Sequence, residues 1–189
     1  MIIHICGASG SGKTTMLSQL RAWCIANNID AGYLDIDDIT NQLTDTIMSS
    51  NDDAETRGKL FEKLLTTRVN DLAKTKKIYI IAGLIDDQFG DTVYYARLTA
   101  DYTFCIKITD GQLLKQYLNR LIIALTNPRY VSDLIQGTAS LIFDRDSLLR
   151  WAEDTRKLYC DTLNYTYAPY DSIIAAVKKH ISAANKKSQ

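Results

Sequence analysis

The chain has 189 residues, of which 46% are hydrophobic and 23% charged, and its 22 basic and 22 acidic side chains cancel. That size and mixture suit one soluble globular domain with a substantial core. The balanced charge excludes the broad positive field that nonspecific binding of nucleic acid or an anionic membrane surface requires.

The four cysteines, Cys6, Cys24, Cys105 and Cys160, have no paired metal-ligand spacing and read as reduced thiols of a cytoplasmic protein. Residues 1–6 read as too short for the apolar region of an export signal, and no apolar stretch approaches the roughly 20 residues of a membrane span. Ile2–Cys6 is instead a compact apolar run closed by Gly7, which predicts a strand. From Thr14 onward Met16, Leu17, Leu20, Trp23 and Cys24 share one helical face. A turn at Asp30-Ala31-Gly32 precedes a second strand at 33–36 that ends in acidic residues. Leu60, Phe61, Leu64, Leu65, Val69 and Leu72 recur at helical spacing, and a third strand follows at 78–82, closed by Gly83. A fourth strand at 102–108 leads into a helix carrying Leu113, Leu114, Tyr117, Leu118, Leu121, Ile122 and Leu125. A short fifth strand at 165–167 precedes a last helix with Ile173, Ile174, Val177 and Ile181 on one side, then a polar tail expected to fray from Asn185.

This alternation predicts an α/β fold in three layers, a five-stranded, mainly parallel sheet with helices on both faces, spanning the whole chain as one domain. Two stretches fit the sheet poorly. Residues 40–57 are polar and weakly periodic, and residues 126–146 hold Pro128 and Gly137 among polar side chains. Both read as mobile excursions from the carboxyl edge of the strands, where parallel sheets bind ligands. The first is a candidate acceptor-binding segment and the second a candidate lid.

Between the first strand and its helix lies Gly7-Ala8-Ser9-Gly10-Ser11-Gly12-Lys13-Thr14-Thr15, which satisfies G-x-x-x-x-G-K-[ST]. The glycines let the backbone curl so that successive N–H groups point inward, and the helix adds its positive end to the same place. Lys13 supplies a charge for the β- and γ-phosphates and Thr14 a hydroxyl for the magnesium that bridges them. The segment therefore reads as a nucleoside triphosphate and Mg²⁺ site. The second strand adds Asp35-Ile36-Asp37-Asp38. In an extended segment Asp35 and Asp37 share a face, so Asp35 can reach the Mg²⁺ shell through water while Asp37 orients or deprotonates an acceptor hydroxyl. The alternative is a solvated acidic turn that caps the next helix, the role that suits Asp38.

Taken together, GASGSGKTT, YLDIDD, IYIIAGLIDD and ADYTFCIKIT, the last followed by a helix ending in Arg120, resemble the nucleoside monophosphate kinase superfamily. The D-x-D brings the chain nearer to its shikimate and gluconate kinase branch. The resemblance implies a P-loop fold with five parallel strands and a lid, ATP and Mg²⁺ as cofactors, and phosphoryl transfer to a small-molecule acceptor, either a nucleoside monophosphate or a hydroxylated metabolite. It also implies lid arginines, met here by Arg120 and Arg129 in NRLIIALTNPRY, and a phosphate- or substrate-facing Arg156 in RKLYCDTLNY. Gly83-Leu84-Ile85-Asp86-Asp87 resembles a Walker B arrangement, but departs from the D-G-x-P-R and G-G-G patterns of the families and keeps only Gly83. The acceptor's identity therefore stays open. Asp86 either stands beside the metal through water or caps its loop. The tyrosines and Trp151 read as core or lid packing.

Two other functions compete. A polynucleotide 5′-hydroxyl kinase would use the same Asp37, and the absent basic surplus weighs against a nucleic-acid partner. A nucleotide-binding regulator or NTPase would need only the phosphate loop, yet no N-K-x-D guanine-reading signature is present. Monomer and homodimer are equally compatible with the sequence.

Overall fold

A computed structural model describes residues 1–48, 52–126 and 145–186. In chain order the elements are β1 (Ile2–Cys6), α1 (Lys13–Ala26), β2 (Gly32–Asp35), α2 (Asp37–Met48), α3 (Ala54–Ala73), β3 (Tyr79–Ala82), β4 (Asp86–Phe89) and β5 (Thr92–Tyr95). There follow β6 (Tyr102–Lys107), α4 (Asp110–Thr126), α5 (Arg145–Arg156), a π-helical turn (Lys157–Thr162), β7 (Thr166–Pro169) and α6 (Tyr170–Lys186). The main sheet has the order β2-β3-β1-β6-β7, and every pairing in it is parallel. β1 is its centre: Ile3 pairs with Ile80 of β3 on one side and Tyr102 of β6 on the other.

Both faces of the sheet are covered, and the strands read accordingly. Ile3 and Ile5 of β1, Ile80 and Ala82 of β3, and Phe104 and Ile106 of β6 turn to one face. There they meet Met16, Leu20 and Cys24 of α1 and Ile173, Val177 and Ile181 of α6. The intervening residues, among them Cys6, Ile81 and Cys105, turn to the other face and pack with Phe61, Leu65 and Val69 of α3 and with Tyr159 and Tyr165. A strand buried on both sides has no polar face to show, which is why β1, β3 and β6 appear in sequence as largely apolar runs. A smaller third cluster joins Ala8 of the glycine-rich loop to Leu113 and Tyr117 of α4 and Leu148 of α5, with Trp151 partly buried against it. All four cysteines are free thiols. Among the described residues no helix is long and apolar enough to cross a membrane.

Residues 40–57, expected to form a polar excursion, are largely helical instead. α2 extends to Met48, and α3 begins at Ala54 behind an Asp53 cap whose carboxylate accepts from the Thr56 N–H at 2.7 Å. The reason is a sparse apolar stripe at i, i+4 and i+8: Ile39 and Ile47 are buried, and Leu43 packs against the same core. Burying such a side chain contributes roughly 1.5–3 kcal/mol, enough to hold an otherwise polar helix in place. A second departure follows β3, where β4 and β5 form an antiparallel hairpin turned at Gly90 (φ +61°). Its buried Phe89 lies 5.6 Å from the ring of Phe61. The helical pattern of α4 is only partly inward. Leu113 and Tyr117 are buried, but Leu118 and Ile122 stand exposed. Residues 127–144 of the candidate lid, Arg129 among them, lie outside the described residues.

Candidate active site

The glycine-rich loop leaves the carboxyl end of β1 at the middle of the sheet and delivers the chain into α1. Gly10 and Gly12 hold φ of +82° and +94°, a region other residues avoid, and ring atoms of Tyr117 and Tyr170 pack where their side chains would go. Because Gly12 stands at the N-cap, no side chain caps α1, and no acidic residue occupies its first turn. The open N–H groups and the positive end of the helix dipole therefore face the loop without a side-chain counter-charge from the cap, which is the condition for holding an anion. Two side chains fit the same purpose. Lys13 is 8% exposed, with its Nζ donating to the carbonyls of Gly7 at 2.9 Å and Ala8 at 3.2 Å. Ser11, only 3% exposed, has a buried hydroxyl that finds no hydrogen-bond partner among the described residues.

The first threonine of the helix faces the second strand. Its hydroxyl, Thr14 Oγ1, donates to Asp35 Oδ2 at 2.8 Å, and Asp35 Oδ1 accepts from the Asp37 N–H at 3.3 Å. The Asp35 carboxylate is thus tied to the backbone of Asp37, although not by strand alternation. Asp35 ends β2 whereas Asp37 already begins α2, so the turn at Ile36 places Asp37. A cavity of about 310 Å³ is lined by Ser9, Lys13, Thr14, Thr15 and Asp37, and closed from α4 by Gln116 and Asn119. A wider one of about 680 Å³ continues past Gly12, Thr15 and Gln116 to Gln19, Lys107, Thr109, Gln112 and Tyr170. Gly12, Thr15 and Gln116 border both. Sequence reasoning missed the amides, whose signal is the polar spacing of Gln112, Gln116 and Asn119 at i, i+4 and i+7 along α4.

Oxygen groups of this kind, one hydroxyl beside one or two carboxylates, suit magnesium, which keeps several waters and shares phosphate oxygens rather than demanding a full protein cage. Among the described residues no group of three His, Cys, Asp or Glu side chains is placed to hold a metal ion by itself.

The remaining predicted residues separate. Gly83 (φ +132°) follows β3 and lies against the start of α2. A Cβ on it would come within 2.8 Å of the Ile36 Cβ and 3.4 Å of Asp37 Oδ1. Asp86 turns inward, accepting a hydrogen bond from the Tyr159 hydroxyl at 2.5 Å. Burial holds its carboxyl above the usual range, against the opposing pull of that bond. Arg156 is engaged by Glu153 at 2.7 Å and Asp161 at 3.2 Å, and it borders a small cavity reaching Ala8 and Cys105. Arg120 lies on α4.

Behind the site sits a polar group that the sequence reading did not single out. His4 of β1 is fully buried, with Nδ1 2.5 Å from the Tyr165 hydroxyl and Nε2 3.1 Å from the Gly83 carbonyl. Burial lowers its pKa to about 4, so the ring is neutral near pH 7. A lone histidine inside an apolar strand was the available signal. No protein-family model matches the chain, and no curated protein matches it in sequence.

Proposed function

We propose that this chain is an ATP- and Mg²⁺-dependent phosphotransferase that moves the γ-phosphoryl group to a hydroxyl of a small acceptor. The observation that carries the reading is the Thr14–Asp35 hydrogen bond of 2.8 Å beside Lys13, with Asp37 on the wall of the same cavity. The uncapped α1 terminus and the Ser11 hydroxyl would receive phosphate oxygens, and Lys13 would exchange its loop carbonyls for them. Thr14 and Asp35 would hold magnesium, directly or through water, and the bound ion would neutralise charge on the β- and γ-phosphates. The wider cavity toward Tyr170 has room for the nucleoside.

The carboxylate argues for an alcohol over a phosphate monoester as acceptor. A phosphate oxygen is already ionised near neutral pH and needs no base, whereas a hydroxyl gains from one. Asp37 would accept that proton, and a dianionic acceptor would be repelled by Asp35 and Asp37 together. Positive charge at the transferring group would come from Lys13 and the open N–H groups at the start of α1. Arg156 would join them only on releasing Glu153 and Asp161. A cytoplasmic site of action, where ATP and reducing conditions coexist, fits the four free thiols. Incubating the protein with ATP, Mg²⁺ and a panel of alcohols and nucleoside monophosphates tests the reading. ADP release stimulated by an alcohol supports it, and release that no acceptor stimulates would replace it with a simple ATPase.

A further inference from the structure

We infer that His4 is a positioning residue for Asp37, acting from inside the core through the backbone of Gly83. The inference rests on the phosphotransferase reading for its kinetic consequence, but its geometric content stands apart from it.

Both backbone polar groups of Gly83 are held by the central strand. Its N–H donates to the Ile5 carbonyl at 3.1 Å, and its carbonyl lies 3.1 Å from His4 Nε2. With Nε2–H donating there, Nδ1 is left as an acceptor, and the Tyr165 hydroxyl at 2.5 Å is the group that donates to it. One tautomer of a neutral ring satisfies both bonds. Tyr165 in turn is tied to the neighbouring tyrosine by its N–H, which donates to the Tyr159 carbonyl at 2.9 Å. The Tyr159 hydroxyl accepts from the Ile85 N–H at 2.6 Å and donates to Asp86. The three rings meet edge to face, with centroids 5.2 Å apart for Tyr159 and Tyr165 and 5.3 Å for His4 and Tyr165. Hydrogen bonds from this cluster thus grip the connection between β3 and β4 at Gly83, at Ile85 and at Asp86.

That connection bears directly on the site. Gly83, at φ +132°, packs so closely on Ile36 that a Cβ there would lie 2.8 Å from the Ile36 Cβ and 3.4 Å from Asp37 Oδ1. The Ile36 N–H also bonds the Ala82 carbonyl at 2.7 Å, so the turn carrying Asp37 follows wherever the end of β3 is placed. Packing alone does not call for an imidazole here, because an aromatic hydrocarbon fills such a space without the desolvation cost of a polar ring. What the imidazole adds is a donor aimed at one carbonyl, and a displacement of about 1 Å at a reacting group can cost on the order of 100-fold in rate.

The test uses His4→Phe, which keeps a ring but loses both bonds, and His4→Gln, whose amide can still donate to Gly83. With the best alcohol acceptor, His4→Phe is expected to lower kcat by about 10- to 100-fold while KM for ATP stays within about twofold, and His4→Gln to recover most of the loss. A crystal structure of His4→Phe is expected to show the Gly83 carbonyl and the Asp37 carboxylate displaced together, with Lys13 and the glycine-rich loop unmoved. An unmoved Asp37 or wild-type kcat in His4→Phe, or a His4→Gln as slow as His4→Phe, overturns the inference. Should His4→Phe not fold, Tyr165→Phe, which removes only the hydroxyl, is read in the same two ways. If the wild-type protein transfers phosphate to no acceptor, the functional reading fails, and the crystallographic comparison still decides the placement of Asp37.

Discussion

At the scale of single residues the glycine-rich loop and the carboxylates have separable parts in the proposed reaction. Lys13 and Thr14 would serve the donor and Asp37 the acceptor, so their substitutions should fail differently. Lys13→Met keeps the aliphatic stem in its buried position and is expected to lower kcat by roughly 100- to 1,000-fold, the scale of one lost electrostatic donor, with a nearly unchanged melting curve. Asp37→Asn should bind an ATP analogue as wild type does, by calorimetry, yet transfer phosphate about 100- to 10,000-fold more slowly, because an amide cannot take up the proton. Wild-type turnover in the second variant would make Asp37 a helix-start residue only. His4 gives a prediction about stability. Its folded pKa of about 4 lies below the ordinary 6.5, so the unfolded chain binds the extra proton between those values. Its contribution is complete above pH 6.5 and is lost progressively as the pH falls to about 4, an effect of about 3 kcal/mol. Asp86, with a raised pKa, works in the opposite sense, gaining relative stability as the pH falls. Urea unfolding of wild type and His4→Phe between pH 7 and 4.5 separates the two, since only wild type should show the histidine slope.

The elements differ in how plainly the sequence announces them. The apolar runs of β1, β3 and β6 and the stripes of α1, α3 and α6 are legible because burial on a whole face leaves a dense pattern. α2 is not, because Ile39, Leu43 and Ile47 are spread among nine residues of mostly polar chain, and its helicity depends on a core those residues alone cannot specify. The hairpin at Asp86–Tyr95 was hidden for a related reason: its inward residue is Phe89, the Asp86-Asp87-Gln88 start carries no strand propensity, and pairing with β5 decides its shape. If α2 is held by its stripe, Ile47→Ala should cost about 2–5 kcal/mol in denaturant unfolding, since Ile47 is 1% exposed. A cost below about 0.5 kcal/mol would mean that α2 is an adventitious helix.

For the molecule as a whole, the glycine-rich loop was fully legible and the second half of the site was not. A loop motif is local, so its residues are neighbours in the chain and their spacing carries the geometry. The Asp35–Asp37 pair was found for a reason the fold replaces: a strand's end meets a helix's start at Ile36 rather than alternation along one strand. The His4–Gly83 and His4–Tyr165 contacts join segments 79 and 161 residues apart, and sequence spacing does not say which distant segments will meet. What the assembled parts share is a direction, from the cavity beside Tyr170 through the loop to Asp37, along which a phosphoryl group would travel. The fate of that group is therefore the most direct measurement. Phosphorus NMR of ATP with Mg²⁺, the protein and an alcohol panel should show the γ-phosphoryl signal lost as a phosphate monoester of one alcohol appears, with Asp37→Asn suppressing the ester. The contrary result is inorganic phosphate as the sole product, at a rate that no alcohol and no change at Asp37 alters.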